Sequence, residues 1–388
     1  MMKIRPIDEE EIHKIKQLRD YSFRHPAKGG DEDFMFWMNR AARLGAFQDE
    51  RLLAQVLTYP LTASLYGEDF AMGGIVYVAS FPENRGGGLI RQLMHASLAE
   101  MRQKGQLLSY LRPFSVPFYR KFGYELFTEE VAVELSAAHL PGDKAYTGTL
   151  ERTGHHDKSF EAVRQIYDRY QKRKNGMLVR DAAWWSRLAR REFTHEAVLY
   201  RDQEGHPQGY ALYTFEGETM LIYELAALTI EAEKAIWQFV KSHQSMFQTV
   251  KAMNVGNIRD LALWLTDPTD LAITETLSFM MRVVDVEPFL ARVPFNSLTE
   301  PLYLEIREDF AEWNNGCYRI TEQGVERLDH VPAEKVLQTD IQTFSQMMTG
   351  FIRPTKLAYY EKLRGTAETI QKWEAALPVR ETQLFDTF

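Results

Sequence analysis

A glycine cluster lies between a predicted strand and a predicted helix in residues 78–91 and limits how this part of the chain can fold. The strand-like run 72–81 has β-branched and aromatic residues at 75–78, glycines occupy 86–88, and apolar residues recur at helical spacing through 89–101. The first N–H groups of a helix have no intrahelical partner, and the helix dipole adds partial positive charge there. Because glycines let the backbone approach a ligand closely and Arg85 adds a charged contact, this turn predicts an anion site.

Two other phosphate-binding motifs are absent from the sequence. It contains neither G-x-x-x-x-G-K-[ST] nor G-x-G-x-x-G, which argues against a P-loop and against a Rossmann site. A flexible glycine loop that binds nothing remains the alternative interpretation of residues 86–88.

The run Arg85-Gly86-Gly87-Gly88-Leu89-Ile90 resembles the acetyl-CoA signature of the GNAT superfamily, R-x-x-G-x-[GA], after a strand ending in V-x-x-x-P. Ile90 departs from the small residue of most GNAT proteins and is similar to the Eis branch. The resemblance implies acetyl-CoA as co-substrate, its pyrophosphate held by backbone N–H groups and its pantetheine amide paired with the strand edge. It assigns to this site Val78, Ala79, Ser80, Arg85, Gly86, Gly87, Gly88, Leu89, Ile90, Arg91, Phe114 and Ser115.

A second motif, Phe118-Tyr119-Arg120-Lys121-Phe122-Gly123-Tyr124, is similar to the F/I-Y-x-x-F-G-Y segment of many GNAT proteins. In acyl transfer from a thioester a thiolate leaves, and a nearby acid that protonates it eases its departure. The resemblance implies that this acid is Tyr119. A core aromatic residue between Phe118 and Phe122 is the alternative interpretation.

The resemblance to Eis-type N-acetyltransferases extends over the whole chain and implies an α+β protein. It predicts tandem GNAT folds, each with a mixed and mostly antiparallel sheet and flanking helices, followed by a sterol-carrier-like α+β domain. The expected domains are a catalytic GNAT domain (1–142), a degenerate GNAT-like domain (143–285) and the sterol-carrier-like domain (286–388). The second lacks a glycine cradle and carries Glu231 and Glu233 at a predicted helix start, where carboxylates would repel a pyrophosphate.

Smaller elements complete the prediction. Residues 131–135 are expected to form the strand that closes the first domain, and the polar segment 23–34 is expected to be a loop. Asp31, Glu32 and Asp33 in that segment form either an acidic mouth that attracts cationic amines or an ordinary solvated surface.

The C-terminal residue is a further catalytic candidate. In the family the last residue of the chain reaches the active site of the N-terminal domain, and Phe388 matches a terminal phenylalanine. The resemblance implies that its α-carboxylate helps to remove a proton from the attacking amine, whereas a merely packed tail is the alternative. Asp386 lies one position earlier than the acidic residue that often precedes the terminus in this family.

Composition excludes several classes of protein. The formal net charge of −8 argues against a nucleic-acid partner. Cys317 is the single cysteine, and we expect neither a disulfide nor a metal site. A polar start and no run of about 18 apolar residues predict a cytoplasmic protein with no membrane partner.

The sequence therefore predicts an enzyme that acetylates primary amines of a polycationic small molecule, with aminoglycosides as the model. The resemblance also implies a homo-oligomer, specifically a hexamer. A non-catalytic sensor that binds acyl-CoA or an apolar ligand is the alternative function.

Overall fold

A computed structural model describes residues 2–24, 30–141, 146–191, 196–256, 258–265, 267–331 and 333–388, and these ranges hold 18 β-strands and 11 α-helices. The strands are β1 (Met2–Pro6), β2 (Ala42–Gln48), β3 (Arg51–Leu65), β4 (Glu68–Ser80), β5 (Leu108–Leu111), β6 (Glu125–Leu126), β7 (Glu129–Ser136), β8 (Thr149–Thr153), β9 (Glu196–Arg201), β10 (Pro207–Glu216), β11 (Thr219–Ala227), β12 (Thr249–Met253), β13 (Ala272–Leu277), β14 (Met280–Val283), β15 (Leu302–Arg307), β16 (Gly316–Thr321), β17 (Gly324–Leu328) and β18 (Val336–Asp340). The helices are α1 (Ile12–Phe23), α2 (Gly30–Met38), α3 (Leu89–Gln103), α4 (Val116–Arg120), α5 (Phe160–Gln171), α6 (Ala182–Arg191), α7 (Ile230–Ser242), α8 (Val286–Leu290), α9 (Ile341–Thr349), α10 (Pro354–Tyr359) and α11 (Ala367–Ala376).

The chain divides into two units. The first comprises Met1–Thr128, Ser278–Thr382 and Thr387–Phe388, and the second comprises Glu129–Leu277 and Gln383–Asp386. The predicted boundary between 142 and 143 falls outside the described residues, and that between 285 and 286 lies at the start of α8. Both boundaries remain predictions.

The first unit is built on a seven-stranded sheet in the order β1-β2-β3-β4-β5-β14-β6. Only β4 and β5 run parallel; the other neighbours are antiparallel. The long β3–β4 hairpin closes through Tyr66 and Gly67, both with positive φ, as a two-residue turn of matching twist requires. A four-stranded sheet, β17-β16-β15-β18, completes this unit.

Helix α3 provides one face of the first core. Leu89, Leu93, Met94, Leu98 and Met101 recur at helical spacing and are buried. They pack with apolar residues of β2, β3 and β4 in one cluster. The apolar pattern of 89–101 thus fixes how α3 lies on the sheet.

The second unit has a sheet of the same plan, in the order β13-β7-β12-β11-β10-β9-β8, with β11 and β12 as its parallel pair. Helix α7 packs on it through Ala232, Ile236, Trp237 and Val240. Each large sheet therefore contains five strands that are consecutive in the sequence, β1 to β5 in the first sheet and β8 to β12 in the second, and each has a single parallel pair.

In each large sheet, the antiparallel strand next to the second member of the parallel pair comes from a different part of the sequence. In the first sheet β5 is followed by β14, from residues 280–283, whereas in the second β12 is followed by β7, from residues 129–136. The strand expected at 131–135 therefore exists, but the expectation that it closes the first sheet is wrong. Alternating apolar residues specify a strand without specifying its partner.

The predicted loop at 23–34 is only partly correct. Helix α1 extends to Phe23 and α2 begins at Gly30, while residues 25–29 lie outside the described part of the chain. Asp31, Glu32 and Asp33 occupy the first turn of α2, where carboxylates interact favourably with the helix dipole. Among the described residues, none of the helices combines the length and hydropathy needed to cross a membrane.

Candidate functional site

The candidate site begins where β4 and β5 part. These strands pair at Met72–Leu108, Gly73–Ser109 and Gly74–Tyr110, and the described residues show no further pairs between them. Beyond Gly74, β4 continues to Ser80 in register with β3 alone. The β5-facing edge of residues 75–80 therefore presents backbone groups that an extended, amide-containing ligand can pair with.

A bulge lies in this open part of β4. The β3–β4 register shifts between Gln55–Ala79 and Leu57–Val76, and Tyr77 has a φ of 48°. Bulges re-aim backbone groups and end regular pairing, and non-glycine residues in this conformation are concentrated at functional sites. The predicted pantetheine-pairing residues Val78, Ala79 and Ser80 directly follow the bulge.

The predicted anion cradle follows at the end of β4. Gly86 and Gly88 have φ values of 84° and 74°, which favour glycine, and Gly88 caps the start of α3 without a side-chain hydrogen bond. A Cβ at Gly86, Gly87 or Gly88 would meet no atom within 4 Å, so open space lies before the loop. The unbonded N–H groups at the start of α3 and this space fit a pyrophosphate.

The charged side chains of the cradle are exposed. Arg85 and Arg91 are both accessible to solvent at the two ends of the turn. Leu89 is instead buried and Ile90 half-buried, so these two contribute backbone groups and core packing. Every predicted residue from Arg85 to Arg91 thus lies on one strand-to-helix connection.

Tyr119 lies on α4 and is 4% exposed. It packs in the same core as Ile75, Val78 and Leu89, which places it on the α3 side of the sheet beside the open edge. Burial, and secondarily Tyr124, raises the pKa of Tyr119 above its usual value near 10. The phenol is therefore protonated at neutral pH, as an acid requires.

The two remaining cofactor candidates precede α4. Phe114 is 72% exposed, and its ring lies 5.5 Å from that of Tyr119 and 5.1 Å from that of Phe118. The carbonyl of Ser115 accepts a hydrogen bond from the N–H of Tyr119. Both residues belong to the segment that leads from β5 to Tyr119.

The C-terminal residue lies at the point where the strands part. A Cβ on Gly74 would be 2.7 Å from Cε2 of Phe388, and the Phe388 ring lies 5.4 Å from that of Phe279. A Cβ on Gly73 would instead meet Met101 of α3, so Phe388 is on the opposite face of the sheet from α3. Tyr119 and Phe388 therefore flank the open edge from opposite faces.

Sequence reasoning missed an aromatic cluster on the Phe388 face. Tyr59 is the register partner of Gly74 and stacks on Trp37 of α2 with ring centroids 4.1 Å apart. Its pKa is raised by burial, and it interacts with Tyr77, Asp33 and Arg19. Trp37 stands in the apolar run Phe34-Met35-Phe36-Trp37-Met38, and this pattern indicates a core residue and not a site residue.

The acidic residues at the start of α2 do not act as one surface. Asp31 pairs with Lys16 at 2.6 Å, whereas Asp33 is only 6% exposed. The prediction of an acidic mouth remains a prediction.

The second sheet differs at the equivalent place. Its parallel strands pair at 219–222 with 249–252 and are linked again by a bridge between Leu225 and Val255. Buried Glu224, on β11, receives two hydrogen bonds from Arg180. At the start of α7, Thr229 caps the N–H of Ala232 in place of a glycine turn.

Asp386 belongs to this second unit. It is 2% exposed and accepts hydrogen bonds from Arg180 Nε at 2.9 Å, Trp184 Nε1 at 2.8 Å and the Tyr167 hydroxyl at 3.0 Å. These bonds hold the carboxylate in the interior of the second unit.

Comparisons with known proteins follow the same three parts of the chain. Residues 3–127 match a model of an acetyltransferase (GNAT) domain, residues 176–283 match a second acetyltransferase (GNAT) domain model, and residues 286–384 match a sterol carrier protein domain. The predicted fold class, tandem GNAT folds followed by a sterol-carrier-like domain, is confirmed.

Individual relatives agree with these matches. A probable N-acyltransferase from Enterococcus faecalis V583 superposes with a TM-score of 0.91 and 30% identity over 100% of both chains. An uncharacterized N-acetyltransferase of Streptomyces avermitilis is 25% identical over 82% of this chain and 81% of its own length. The N-acetyltransferase Eis of Mycobacterium tuberculosis is 27% identical over 53% of each chain.

Proposed function

Because this chain belongs to the GNAT superfamily of acetyltransferases, which use an acyl-CoA, we propose that it transfers acetyl from acetyl-CoA to a primary amine of a polycationic small molecule. The observation that carries the proposal is the unpaired edge of β4 at residues 75–80, which connects the glycine cradle to Tyr119 and Phe388. Aminoglycoside-like amines are the substrates that the Eis relationship suggests.

The donor is bound by backbone groups. N–H groups at residues 86–91 hold the pyrophosphate, with Arg85 adding a charged contact, and the edge at 78–80 pairs with the pantetheine amides. When bound, acetyl-CoA supplies a thioester whose carbonyl carbon accepts the amine. The open space before Gly86, Gly87 and Gly88 supports this placement.

Tyr119 assists departure of the thiol. As the new C–N bond forms and the C–S bond breaks, the sulfur gains negative charge, and the phenol donates its proton to it. Burial keeps the phenol protonated until that moment. Solvent then returns a proton to the phenolate.

The α-carboxylate of Phe388 assists the amine. An ammonium has no lone pair, so it loses a proton before it attacks, and the carboxylate accepts that proton through water. A terminal carboxyl with a pKa of about 3.5 is a weak base, but it is ionised at neutral pH and holds the cation in place. The position of Phe388 beside Gly74 supports this role.

The second GNAT unit serves a structural role in this proposal. Its parallel strands are bridged again at Leu225, and Glu224 and Arg180 form a buried ion pair beside them. Glu231 and Glu233 occupy the first turn of α7, where the Glu231 carboxylate would repel a phosphate; burial raises the pKa of Glu233 to about 7, so this second residue adds less charge at neutral pH. These features favour a single donor site for each chain.

The decisive experiment measures thiol release from acetyl-CoA with a panel of amines, including kanamycin-like aminoglycosides and linear polyamines, and counts added acetyl groups by mass. The proposal predicts amine-dependent thiol release and a mass increase by whole acetyl units. Tight acetyl-CoA binding without transfer to any amine would favour the alternative, a non-catalytic acyl-CoA sensor.

We also propose a cytoplasmic homo-oligomer, with six subunits as the Eis relationship suggests. Size-exclusion chromatography with light scattering gives the subunit number directly. A monomer at micromolar concentration would contradict this part of the proposal.

A further inference from the structure

Three backbone carbonyls around the Tyr119 segment accept hydrogen bonds from distant parts of the first unit. Arg282 of β14 donates to the carbonyl of Phe122. Two glutamines of α9 donate to the others, Gln342 to Arg120 at 2.9 Å and Gln346 to Leu126 at 2.7 Å. The turn after the proposed acid is therefore held by residues outside the N-terminal GNAT segment.

Arg282 is the most constrained of these donors. Its side chain is fully buried, and its Nη2 pairs with Glu308 Oε2 at 2.7 Å. Glu308 is fixed in turn, because its Oε1 accepts from the N–H of Phe310 and its backbone bonds in both directions with the side chain of Asn315. The guanidinium that donates to the Phe122 carbonyl is therefore held in a fixed position by Glu308.

The turn is shaped to receive this guanidinium. Gly123 has a φ of 83°, and a Cβ there would lie 2.5 Å from Arg282 Nη1 and 2.9 Å from Ile341 Cγ2. The carbonyl of Tyr119 accepts the N–H of Phe122 at 2.9 Å and that of Tyr124 at 3.4 Å. A displacement of Phe122 is thus transmitted to Tyr119 through the hydrogen bonds of one tight turn.

Stability alone is a weak explanation for such a pair. Buried ion pairs can often be replaced by apolar residues without loss of stability, because desolvation offsets the attraction between the charges. The pair instead fixes the orientation of the guanidinium, because the planar group of Arg282 donates to Glu308 and to the Phe122 carbonyl at the same time.

We infer that the Arg282–Glu308 pair is a positioning device for Tyr119, through which the segment that follows β15 holds the proposed acid in its catalytic orientation. The inference rests on the proposed role of Tyr119. Arg282 and Glu308 are positioning residues here, since neither touches the open edge of β4. The sterol-carrier-like segment would then be required for turnover without binding a ligand of its own.

The test is a double-mutant cycle with Tyr119→Phe. The variant R282M/E308Q removes both charges, so that no buried charge is left unpaired, and the glutamine retains an acceptor for the N–H of Phe310. In the native background we expect kcat to fall about tenfold with KM for acetyl-CoA within about twofold, as for a group displaced by a fraction of an ångström. In the Tyr119→Phe background we expect the same pair to change kcat by less than about twofold.

A matched control is the pair of Arg353 and Glu374, whose side chains are 2.6 Å apart and are both about one-quarter exposed. Among the described residues this pair makes no hydrogen bond to residues 116–126. R353M/E374Q should lower the melting temperature and leave kcat unchanged in both backgrounds. A control that lowers kcat as R282M/E308Q does would overturn the inference, because any loosening of this unit would then suffice.

Two other results overturn the inference. One is an unchanged kcat in R282M/E308Q, and the other is an equal loss in both backgrounds, which marks a purely structural pair. If Tyr119→Phe alone retains full turnover, the proposed acid fails and the inference fails with it; this arm separates the two failures. If R282M/E308Q does not fold, Arg282→Lys keeps the charge and removes the fork, and it must show the same dependence on Tyr119.

Discussion

The contact between Gly74 and Phe388 offers a direct way to displace the C-terminus. Gly74 does not need glycine for its backbone conformation, because it is absent from the residues with positive φ. An added methyl group would nevertheless lie 2.7 Å from Cε2 and 3.1 Å from Cδ2 of the Phe388 ring, and 3.0 Å from Cδ1 of Leu61. Gly74→Ala therefore tests the position of the last residue while leaving its carboxylate intact.

The size of the effect follows from these distances. For an ordinary contact of about 3.4 Å the ring has to move by roughly 0.7 Å, and a chain end yields more readily than the β3–β4 ladder. Misplacement of a catalytic group by about 1 Å costs up to 10²-fold in rate, so we expect kcat to fall by about 10–10²-fold. The affinity for acetyl-CoA, measured by calorimetry, should be unchanged because the cradle at 85–91 is untouched.

Two further variants make the experiment decisive. Gly73→Ala is the matched control, because its methyl group would press on Met101 of α3 and not on Phe388; it should lower stability more than turnover. Phe388→Leu combined with Gly74→Ala restores space and keeps the terminal carboxylate, and we expect partial recovery of kcat. Full turnover in Gly74→Ala would refute the reasoning, as would an equal loss in a chain that already lacks residue 388.

Four other outcomes are expected. Arg85→Ala with Gly88→Glu should abolish acetyl-CoA binding, because a carboxylate replaces open space at the cradle; the φ of 74° at Gly88 adds backbone strain in this variant, so its melting curve must show a folded protein, and unchanged affinity in calorimetry would contradict the site. Tyr119→Phe should lower kcat by about 10²–10⁴-fold, and near-native turnover in this variant would show that Tyr119 is only a core residue. Because burial raises the pKa of the Tyr119 phenol, deprotonation of this group should not lower the activity of the native enzyme below about pH 10. Extending the chain beyond Phe388 should abolish transfer but not acetyl-CoA binding, and a fully active extended protein would disprove the role of the carboxylate. Neutralising the acidic residues at 31–33 should raise KM for a polyamine at low salt, whereas an unchanged KM would identify them as structural charges.

The donor site was predictable because its chemistry is local. A glycine turn between a strand and a helix contains the whole cradle, and its residues at 85–91 lie on one connection. The resemblance also led to Tyr119, whose helix and burial the sequence pattern favoured. Short-range patterns such as these survive folding because the relevant groups are neighbours in the chain.

Long-range pairings were not predictable in the same way. No residue in 129–136 indicates that this strand belongs to the second sheet, since alternation defines a strand and not its neighbour. The cluster of Tyr59 and Trp37 was missed because it joins β3 to α2 across the fold. The start of α2 was assigned to a loop because its acidic residues look like solvated surface, although the same charges favour a helix N-terminus.

The placement of β14 between β5 and β6 has a consequence for folding during synthesis. The first sheet needs residues 280–283 to fill the gap between β5 and β6, and these are translated after more than 150 further residues have followed Leu126. Until then β5 has an unpaired edge, and such edges promote aggregation of nascent chains. The N-terminal half therefore reaches its final form only after the C-terminal half of the message is being read, and a truncated transcript ending near residue 140 should yield insoluble protein.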